Sequence, residues 1–157
     1  MLQLAEKYQE EVQFAFKPHP VLKFKLLNLW GEKKTEEYYN RWANLSNAQI
    51  EQGDYIDLFK TSDAMIHDCG SFTVEYLYTK KPVLFQIRDE KVKDEFNTFG
   101  QLCFEKHYHA YTIEETETFI RDIVINGNDP KADEREQFYM QYLYPKDGVM
   151  PSDKIYT

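Results

Sequence analysis

Glycine and cysteine are scarce in this sequence of 157 residues, which contains six glycines and two cysteines. No two glycines are two positions apart, so the sequence has neither the Gly-x-Gly fingerprint of dinucleotide-binding folds nor the glycine-rich loop of ATP-driven motors. The two cysteines, Cys69 and Cys103, lack the spacing of a disulfide framework or a zinc site. We therefore expect a reducing compartment, the cytoplasm.

Basic residues are also in deficit, with 19 lysines and arginines against 27 aspartates and glutamates, a formal net charge of −8. A chain with this balance is not expected to bind nucleic acid through bulk positive charge. No apolar run approaches the ~20 residues that a membrane-spanning helix needs. An anionic ligand must therefore be held by backbone dipoles or by a few placed cations.

The patterns that are present alternate between strand and helix. Strands are predicted at residues 13–17, 47–51, 64–68, 83–87 and 110–112. Helices are predicted at residues 2–12, 22–45 with a break near Gly31, 55–60 after a cap at Asp54, 72–78, 114–125 and 133–144. Residues 88–95 are expected to form a charged loop. This alternation predicts one α/β domain over residues 1–157, with a Rossmann-like, three-layer arrangement around a parallel sheet.

The segment Asp68-Cys69-Gly70-Ser71 lies between a predicted buried strand and a predicted helix. Loops of this kind bind ligands in α/β sheets, and the free N–H groups at a helix start favour phosphate. Gly70 allows close approach of the main chain, Ser71 and Thr73 offer hydroxyls, and Glu75 could bind ribose hydroxyls. The alternative is that Ser71 only caps the helix and Asp68 only binds nearby backbone donors.

Histidines form the second set of candidates. His19 stands between Pro18 and Pro20 at the end of a predicted strand, where its imidazole could donate to a pyrophosphate or transfer a proton. The alternative is a surface histidine in a rigid turn. His107 and His109 are expected to be loop histidines, because an isolated His-x-His is a weak metal signal. No metal site is predicted.

Several of these segments, in this order, resemble the carboxyl-terminal half of the CDP-glycerol glycerophosphotransferase family, the teichoic-acid and capsule polymerases. The matching segments are Phe16-Lys17-Pro18-His19-Pro20, residues 62–76, residues 81–85, Asp147-Gly148 and Ser152-Asp153-Lys154-Ile155. Residues 62–82 alone are also similar to nucleotide-sugar glycosyltransferases and to UDP-N-acetylglucosamine 2-epimerases.

The resemblance implies a GT-B architecture, in which two Rossmann-like halves face a cleft and this chain is the donor-binding half. The donor would be CDP-glycerol or CDP-ribitol, and its polyol phosphate would pass to a hydroxyl of a cell-wall or capsule polymer with release of CMP. No cofactor is implied. The full-length protein would be cytoplasmic and could sit peripherally on the inner face of the plasma membrane.

The resemblance also assigns roles to residues. His19 would be the catalytic residue that contacts the pyrophosphate, Gly70, Ser71 and Thr73 would hold phosphate, and Glu75 would bind the ribose. Lys17, Asp68 and Phe72 would complete the donor-binding set.

Three departures from the family pattern stand out. Cys69 and Gly70 replace an aromatic residue and a serine, and residues 107–109 replace a Pro-Gly-Pro segment. The amino-terminal half, with its presumed base, is not part of these 157 residues. We also expect the first strand of the domain to be lacking, which would leave a gap between the strands ending near Lys17 and Asp68. The chain is thus interpreted as a fragment of a larger two-domain enzyme.

Two other functions remain open from the sequence. One is a glycosyltransferase or epimerase half that uses a UDP-sugar. The other is a non-catalytic module that binds a nucleotide or a protein, which the net charge of −8 favours because the proposed donor is itself anionic.

Overall fold

The computed structural model describes residues 1–149, and the chain divides into two compact units, Met1–Leu58 and Phe59–Thr157. The second unit is described as far as Val149. The family motif at Ser152–Ile155 therefore lies outside the described residues.

The first unit contains two parallel strands and the helices before and between them. In chain order these elements are α1 (Leu2–Lys7), β1 (Phe14–Phe16), α2 (Leu22–Asn44) and β2 (Ala48–Ile50). β1 and β2 pair in register from Phe14 opposite Ala48 to Phe16 opposite Ile50. Because parallel strands need a long crossover connection, α2 serves as that crossover.

α2 contains the break that the sequence predicts at Gly31. This glycine has φ 78° and ψ 171°, a conformation outside the helical region. Positive φ costs glycine little because it has no Cβ. The Thr35 hydroxyl donates to the Gly31 carbonyl at 2.8 Å, so that this carbonyl keeps a hydrogen bond at the break.

Aromatic packing and one buried amide hold the first unit together. Trp42 is 2% exposed, and its ring stacks on Phe16 with the centroids 4.6 Å apart. The buried Asn47 amide donates to the carbonyls of Ala5 at 3.1 Å and Val12 at 2.8 Å. These bonds tie the chain around α1 to the residue that precedes β2.

A short helix, α3 (Ile56–Thr61), spans the boundary between the two units. The Asp54 carboxylate accepts a hydrogen bond from the Ile56 N–H at 3.0 Å, which confirms the predicted cap.

The second unit is built on three parallel strands in the order β3-β4-β5. The strands are β3 (Met65–His67), β4 (Val83–Gln86) and β5 (Tyr108–Ala110). The helices are α4 (Phe72–Glu75), α5 (Thr98–Phe104), α6 (Ile113–Thr118) and α7 (Ala132–Phe138). Tighter 3₁₀ turns cover Tyr76–Thr79 and Glu90–Glu95, and wider π-helical turns cover Phe119–Ile125 and Tyr139–Leu143.

The central strand β4 is the most deeply buried, as expected for the middle of a parallel sheet. Val83, Leu84 and Phe85 are each at most 2% exposed. One apolar cluster packs around Val83, and a second packs around Phe85. The members of the first are Tyr76, Leu77, Val83, Cys103, Phe138 and Leu143.

The observed architecture confirms the predicted α/β fold with parallel strands, of the Rossmann-like class. β1 pairs with β2 and β3 pairs with β4, in separate sheets. The predictions of a single domain over residues 1–157 and of a missing strand stay predictions.

Two local predictions were wrong, and one helix was missed. β5 begins at Tyr108, two residues before the predicted strand, so that His109 lies within β5 and not in a loop, whereas His107 lies in the turn just before the strand, as expected. The charged stretch after β4 contains the 3₁₀ turn Glu90–Glu95, which starts where the Asp89 carboxylate accepts the Lys91 N–H at 2.9 Å. α5 was not predicted.

Candidate functional site

The carboxyl ends of β3, β4 and β5 meet at one edge of the three-stranded sheet because the strands are parallel. The pairing aligns His67 with Phe85 and Gln86 with Ala110. The residues that follow each strand therefore share this edge. Open α/β sheets bind their ligands at such edges.

The loop after β3 presents exposed polar groups at this edge. Asp68, Gly70 and Ser71 are all exposed. Ser71 precedes α4 in a right-handed helical conformation, and its hydroxyl makes no capping hydrogen bond to the helix. The interpretation that Ser71 serves as a side-chain cap is therefore wrong. Its hydroxyl is available to a ligand.

The other predicted donor-binding residues of the second unit differ in exposure. Thr73 is fully buried, and its hydroxyl lies 3.5 Å from the Cys69 carbonyl. Phe72 is half-buried and packs edge-on against Phe59, with the centroids 5.2 Å apart. Glu75 is exposed at the last position of α4. The structure thus places Ser71 and Glu75 in solvent and Thr73 in the protein interior.

An arginine that the sequence did not single out lies at the same edge. Arg88 follows β4, and its guanidinium forms an ion pair with the Asp68 carboxylate. The side chain of Arg88 is 81% exposed and that of Asp68 is 41% exposed. The signal in the sequence is an arginine just beyond a buried strand, inside the predicted charged loop.

A cleft of about 220 Å³ opens beside Arg88 at the ends of β4 and β5. Its lining residues are Gln86, Ile87, Arg88, Ala110, Tyr111, Thr112 and Ile113. The start of α6 in this wall is already capped, because Thr112 accepts the Glu115 N–H at 3.2 Å and Glu115 accepts the Tyr111 N–H at 2.6 Å.

Two buried histidines lie within the second unit, one of them joined directly to the Asp68–Ser71 loop. The Nδ1 atom of His67 is 3.0 Å from the Cys69 carbonyl oxygen and 3.3 Å from its amide nitrogen. His107 is 0% exposed, and its Nδ1 is 3.0 Å from the Cys103 carbonyl oxygen. The two imidazole centroids are 5.2 Å apart.

Both imidazoles are held neutral by burial. Desolvation lowers the pKa of His67 to about 4. Desolvation, followed by the nearby His67, lowers the pKa of His107 to about 3. Within residues 1–149, both Nε2 atoms are buried without a hydrogen-bond partner. His67 and His107 are thus core residues that carry polar nitrogens, and sequence reasoning missed both.

The second cysteine is a buried thiol, as the sequence suggested. Cys103 is fully buried, and burial raises its pKa to about 11. Cys69 is half-buried in the loop after β3, and both cysteines are free. No cluster of three or more potential metal ligands occurs among residues 1–149.

The Lys81-Pro82 motif has a structural role. The Lys81 ammonium donates to three backbone carbonyls, those of Phe59 at 3.4 Å, Lys60 at 2.8 Å and Ser62. A cation at the carboxyl end of a helix is favourable, and here that helix is α3. The Ser62 hydroxyl also lies 2.9 Å from the Tyr76 hydroxyl.

The predicted residues of the first unit lie just after β1. His19 is exposed, and its Nδ1 accepts the Val21 N–H at 3.3 Å. In a neutral imidazole whose Nδ1 is an acceptor, the proton is on Nε2. His19 can therefore donate from Nε2 to a ligand. The Lys17 ammonium donates to the Gly53 carbonyl.

The parallel strands and the loops at their carboxyl ends are those of an α/β protein of the Rossmann-like type. In such proteins ligands bind beyond the carboxyl ends of the strands. The entire chain, residues 1–157, matches the sequence model of the family described as CDP-glycerol:poly(glycerophosphate) glycerophosphotransferase. The chain belongs to this family, which confirms the resemblance of its motifs. No curated protein and no solved structure matches the chain.

Membership in this family indicates a glycerophosphotransferase type of activity, with a nucleotide-linked donor and a polymer acceptor. Among residues 1–149, no helix is both long enough and apolar enough to span a membrane.

Proposed function

We propose that this chain is the donor-binding part of a glycerophosphotransferase that uses CDP-glycerol or CDP-ribitol. The observation that supports this most strongly is the Asp68–Ser71 loop, which is exposed at the carboxyl ends of parallel strands. Its Ser71 hydroxyl makes no capping hydrogen bond to α4. The family supplies the reaction type, and the loop supplies groups suited to a phosphate.

In the proposed reaction, a hydroxyl of a cell-wall or capsule polymer attacks the phosphorus next to the polyol. The new oxygen–phosphorus bond forms while the bond from that phosphorus to the bridging diphosphate oxygen breaks, and CMP leaves. The hydroxyl proton passes to a base, which we assign to an amino-terminal GT-B half. Negative charge that develops on the leaving phosphate is stabilised by hydrogen-bond donors of the donor site.

The proposed donor contacts are those that the family resemblance assigns, and features of single residues support them. The Ser71 hydroxyl and the Gly70 backbone contact phosphate, and the exposed Glu75 carboxylate accepts from ribose hydroxyls. His19 donates from Nε2 to the pyrophosphate, because its Nδ1 is already an acceptor for Val21. The buried Thr73 acts through the loop backbone, since its hydroxyl faces the Cys69 carbonyl.

Isothermal titration calorimetry with CDP-glycerol, CMP, UDP and UDP-N-acetylglucosamine tests this proposal. We expect the wild type to bind CDP-glycerol and CMP and to discriminate against both uridine compounds. Ser71→Ala, Glu75→Ala and His19→Ala should each weaken CDP-glycerol by about tenfold, the effect of one lost hydrogen bond to a charged group. Ser46→Ala, at an exposed serine of the first unit, is the matched control.

The outcomes separate the three functions. Preferential binding of UDP compounds would favour a glycosyltransferase or epimerase half. Absence of binding to all four compounds would contradict the donor role and leave a protein-interaction module.

A peripheral membrane location is part of the proposal, and exposed residues on both sides of the break in α2 support it. Phe24 is 67% exposed and Leu29 is 76% exposed. Lys25 and Lys33 make no hydrogen bond or ion pair through their side chains within residues 1–149. Exposed apolar residues beside free lysines suit the interface of an anionic bilayer.

Co-sedimentation with vesicles tests this location. Binding to phosphatidylglycerol vesicles should exceed binding to phosphatidylcholine vesicles, and Leu29→Glu and Lys25→Glu should each reduce it. Ile56→Glu changes an apolar residue that is 50% exposed outside α2 and should leave binding unchanged. Equal binding by the Leu29→Glu variant would contradict the assignment of α2 as the membrane contact.

A further inference from the structure

Arg88 is the cation that the structure places beside the loop proposed to bind phosphate. β3 and β4 pair with His67 opposite Phe85, which brings the segments after the two strands side by side. Asp68 follows β3 directly, and its carboxylate contacts the Arg88 guanidinium. Because Asp68 and Arg88 are far apart in the sequence, their contact is known only from the pairing of β3 with β4.

We propose that Arg88 binds the diphosphate of the nucleotide donor and that Asp68 competes with the donor for it. This inference rests on the proposed function, because it names a further residue of the same site. The Asp68–Arg88 ion pair opens when the anion binds, and Asp68 is released to solvent. Asp68 therefore opposes donor binding, in contrast to the donor-binding role that the family resemblance gives it.

The exposure of the ion pair supports an exchange of partners. The Arg88 side chain is 81% exposed, and an ion pair in that environment contributes little to stability. Opening the pair is therefore inexpensive for the fold. A guanidinium presents five N–H donors in a planar fork, which fits two phosphate oxygens as well as it fits a carboxylate.

The surroundings of Arg88 leave room for a ligand. Arg88 lines the cleft of about 220 Å³ at the ends of β4 and β5. Arg88 also contacts Asp68, the first residue of the loop that carries Ser71. A diphosphate bound here lies between backbone amides of the loop and the Arg88 guanidinium. Because the chain has a net charge of −8, an anionic ligand needs a local cation of this kind.

Competition predicts opposite signs for the two substitutions. Arg88→Met removes the cation and should weaken binding of inorganic pyrophosphate and of CDP by about tenfold or more. Asp68→Asn removes the competing carboxylate and should strengthen both by about two- to fivefold, the strength of one exposed ion pair. In the double variant the gain should largely disappear, because Asp68→Asn acts by freeing Arg88.

Titration calorimetry with inorganic pyrophosphate and with CDP, at low and moderate salt, measures these effects. Arg121→Met and Asp122→Asn form the matched control, since they alter another exposed arginine–aspartate pair of the second unit. Both control variants should bind as the wild type does. The substituted side chains at positions 68 and 88 are exposed, so the variants are expected to fold.

Each outcome bears on one proposal or on both. Unchanged binding by Arg88→Met, or weaker binding by Asp68→Asn, would overturn the inference, and if Ser71→Ala still weakened CDP-glycerol the donor function would stand. Arg88-dependent binding of pyrophosphate without any binding of CDP-glycerol would support the anion site and contradict the donor function. Absence of binding to pyrophosphate, CDP and CDP-glycerol would overturn both.

Discussion

Acidification should destabilise the second unit because two of its buried histidines are neutral. The pKa of His67 is lowered to about 4 and that of His107 to about 3, mainly by burial. In an unfolded chain a histidine has a pKa of about 6.5. Between roughly pH 6.5 and pH 4, the unfolded state therefore binds more protons than the folded state, and the free energy of unfolding falls as the pH falls.

The size of this effect follows from proton linkage. Each histidine contributes a slope of up to about 1.4 kcal/mol per pH unit, and the two together should cost about 4 kcal/mol between pH 7 and pH 5. A loss of this size is a large part of the stability of a typical domain, which is about 5–15 kcal/mol. His109, whose pKa is also lowered by burial, adds to the effect in the same direction.

Urea unfolding at a series of pH values, followed by circular dichroism, measures this loss. Both tryptophans, Trp30 and Trp42, belong to the first unit, so their fluorescence does not follow the second. His107→Leu should reduce the slope by about half of the two-histidine value, and His19→Gln, which removes an exposed histidine, is the matched control. A free energy of unfolding that is constant from pH 7 to pH 5 would refute the claim that His67 and His107 are buried and neutral.

Three further substitutions test the packing and backbone, each by chemical denaturation at neutral pH. Asn47→Ala leaves the carbonyls of Ala5 and Val12 without this donor and should cost about 2–4 kcal/mol. Lys81→Met removes the ammonium from the carbonyls at the end of α3 and should cost about 1–2 kcal/mol. Gly31→Ala places a Cβ at φ 78° and should cost about 1–3 kcal/mol, although no atom crowds that Cβ. A variant as stable as the wild type would show that the interaction named for it is not formed.

Local patterns were sufficient to predict the strand–helix alternation. The buried run at residues 83–87 and the break at Gly31 both depend on side-chain type and backbone freedom within a few residues. α5 was missed although Asn97 accepts the Gly100 N–H at 2.8 Å at its start. Gly100 lies inside that helix, and glycine lowers the helix propensity of such a segment.

The sequence predicts only the part of the candidate site that lies within one continuous segment. The Asp68–Ser71 loop follows from a strand, a glycine and a helix start in sequence. The Asp68–Arg88 ion pair depends on the alignment of β3 with β4, which the sequence does not state. His107 is polar by residue type, yet it is buried, and the Cys103 carbonyl accepts from its Nδ1 in the interior. Such partners are known only once the fold is known.

Titration of CDP-glycerol into the wild type and into Ser71→Ala shows whether the Asp68–Ser71 loop binds the nucleotide donor. We predict that the wild type binds CDP-glycerol in preference to UDP-N-acetylglucosamine and that loss of the one hydroxyl weakens this binding by about tenfold. Equal affinity of the two proteins for CDP-glycerol, or a preference of the wild type for the uridine compound, would contradict it.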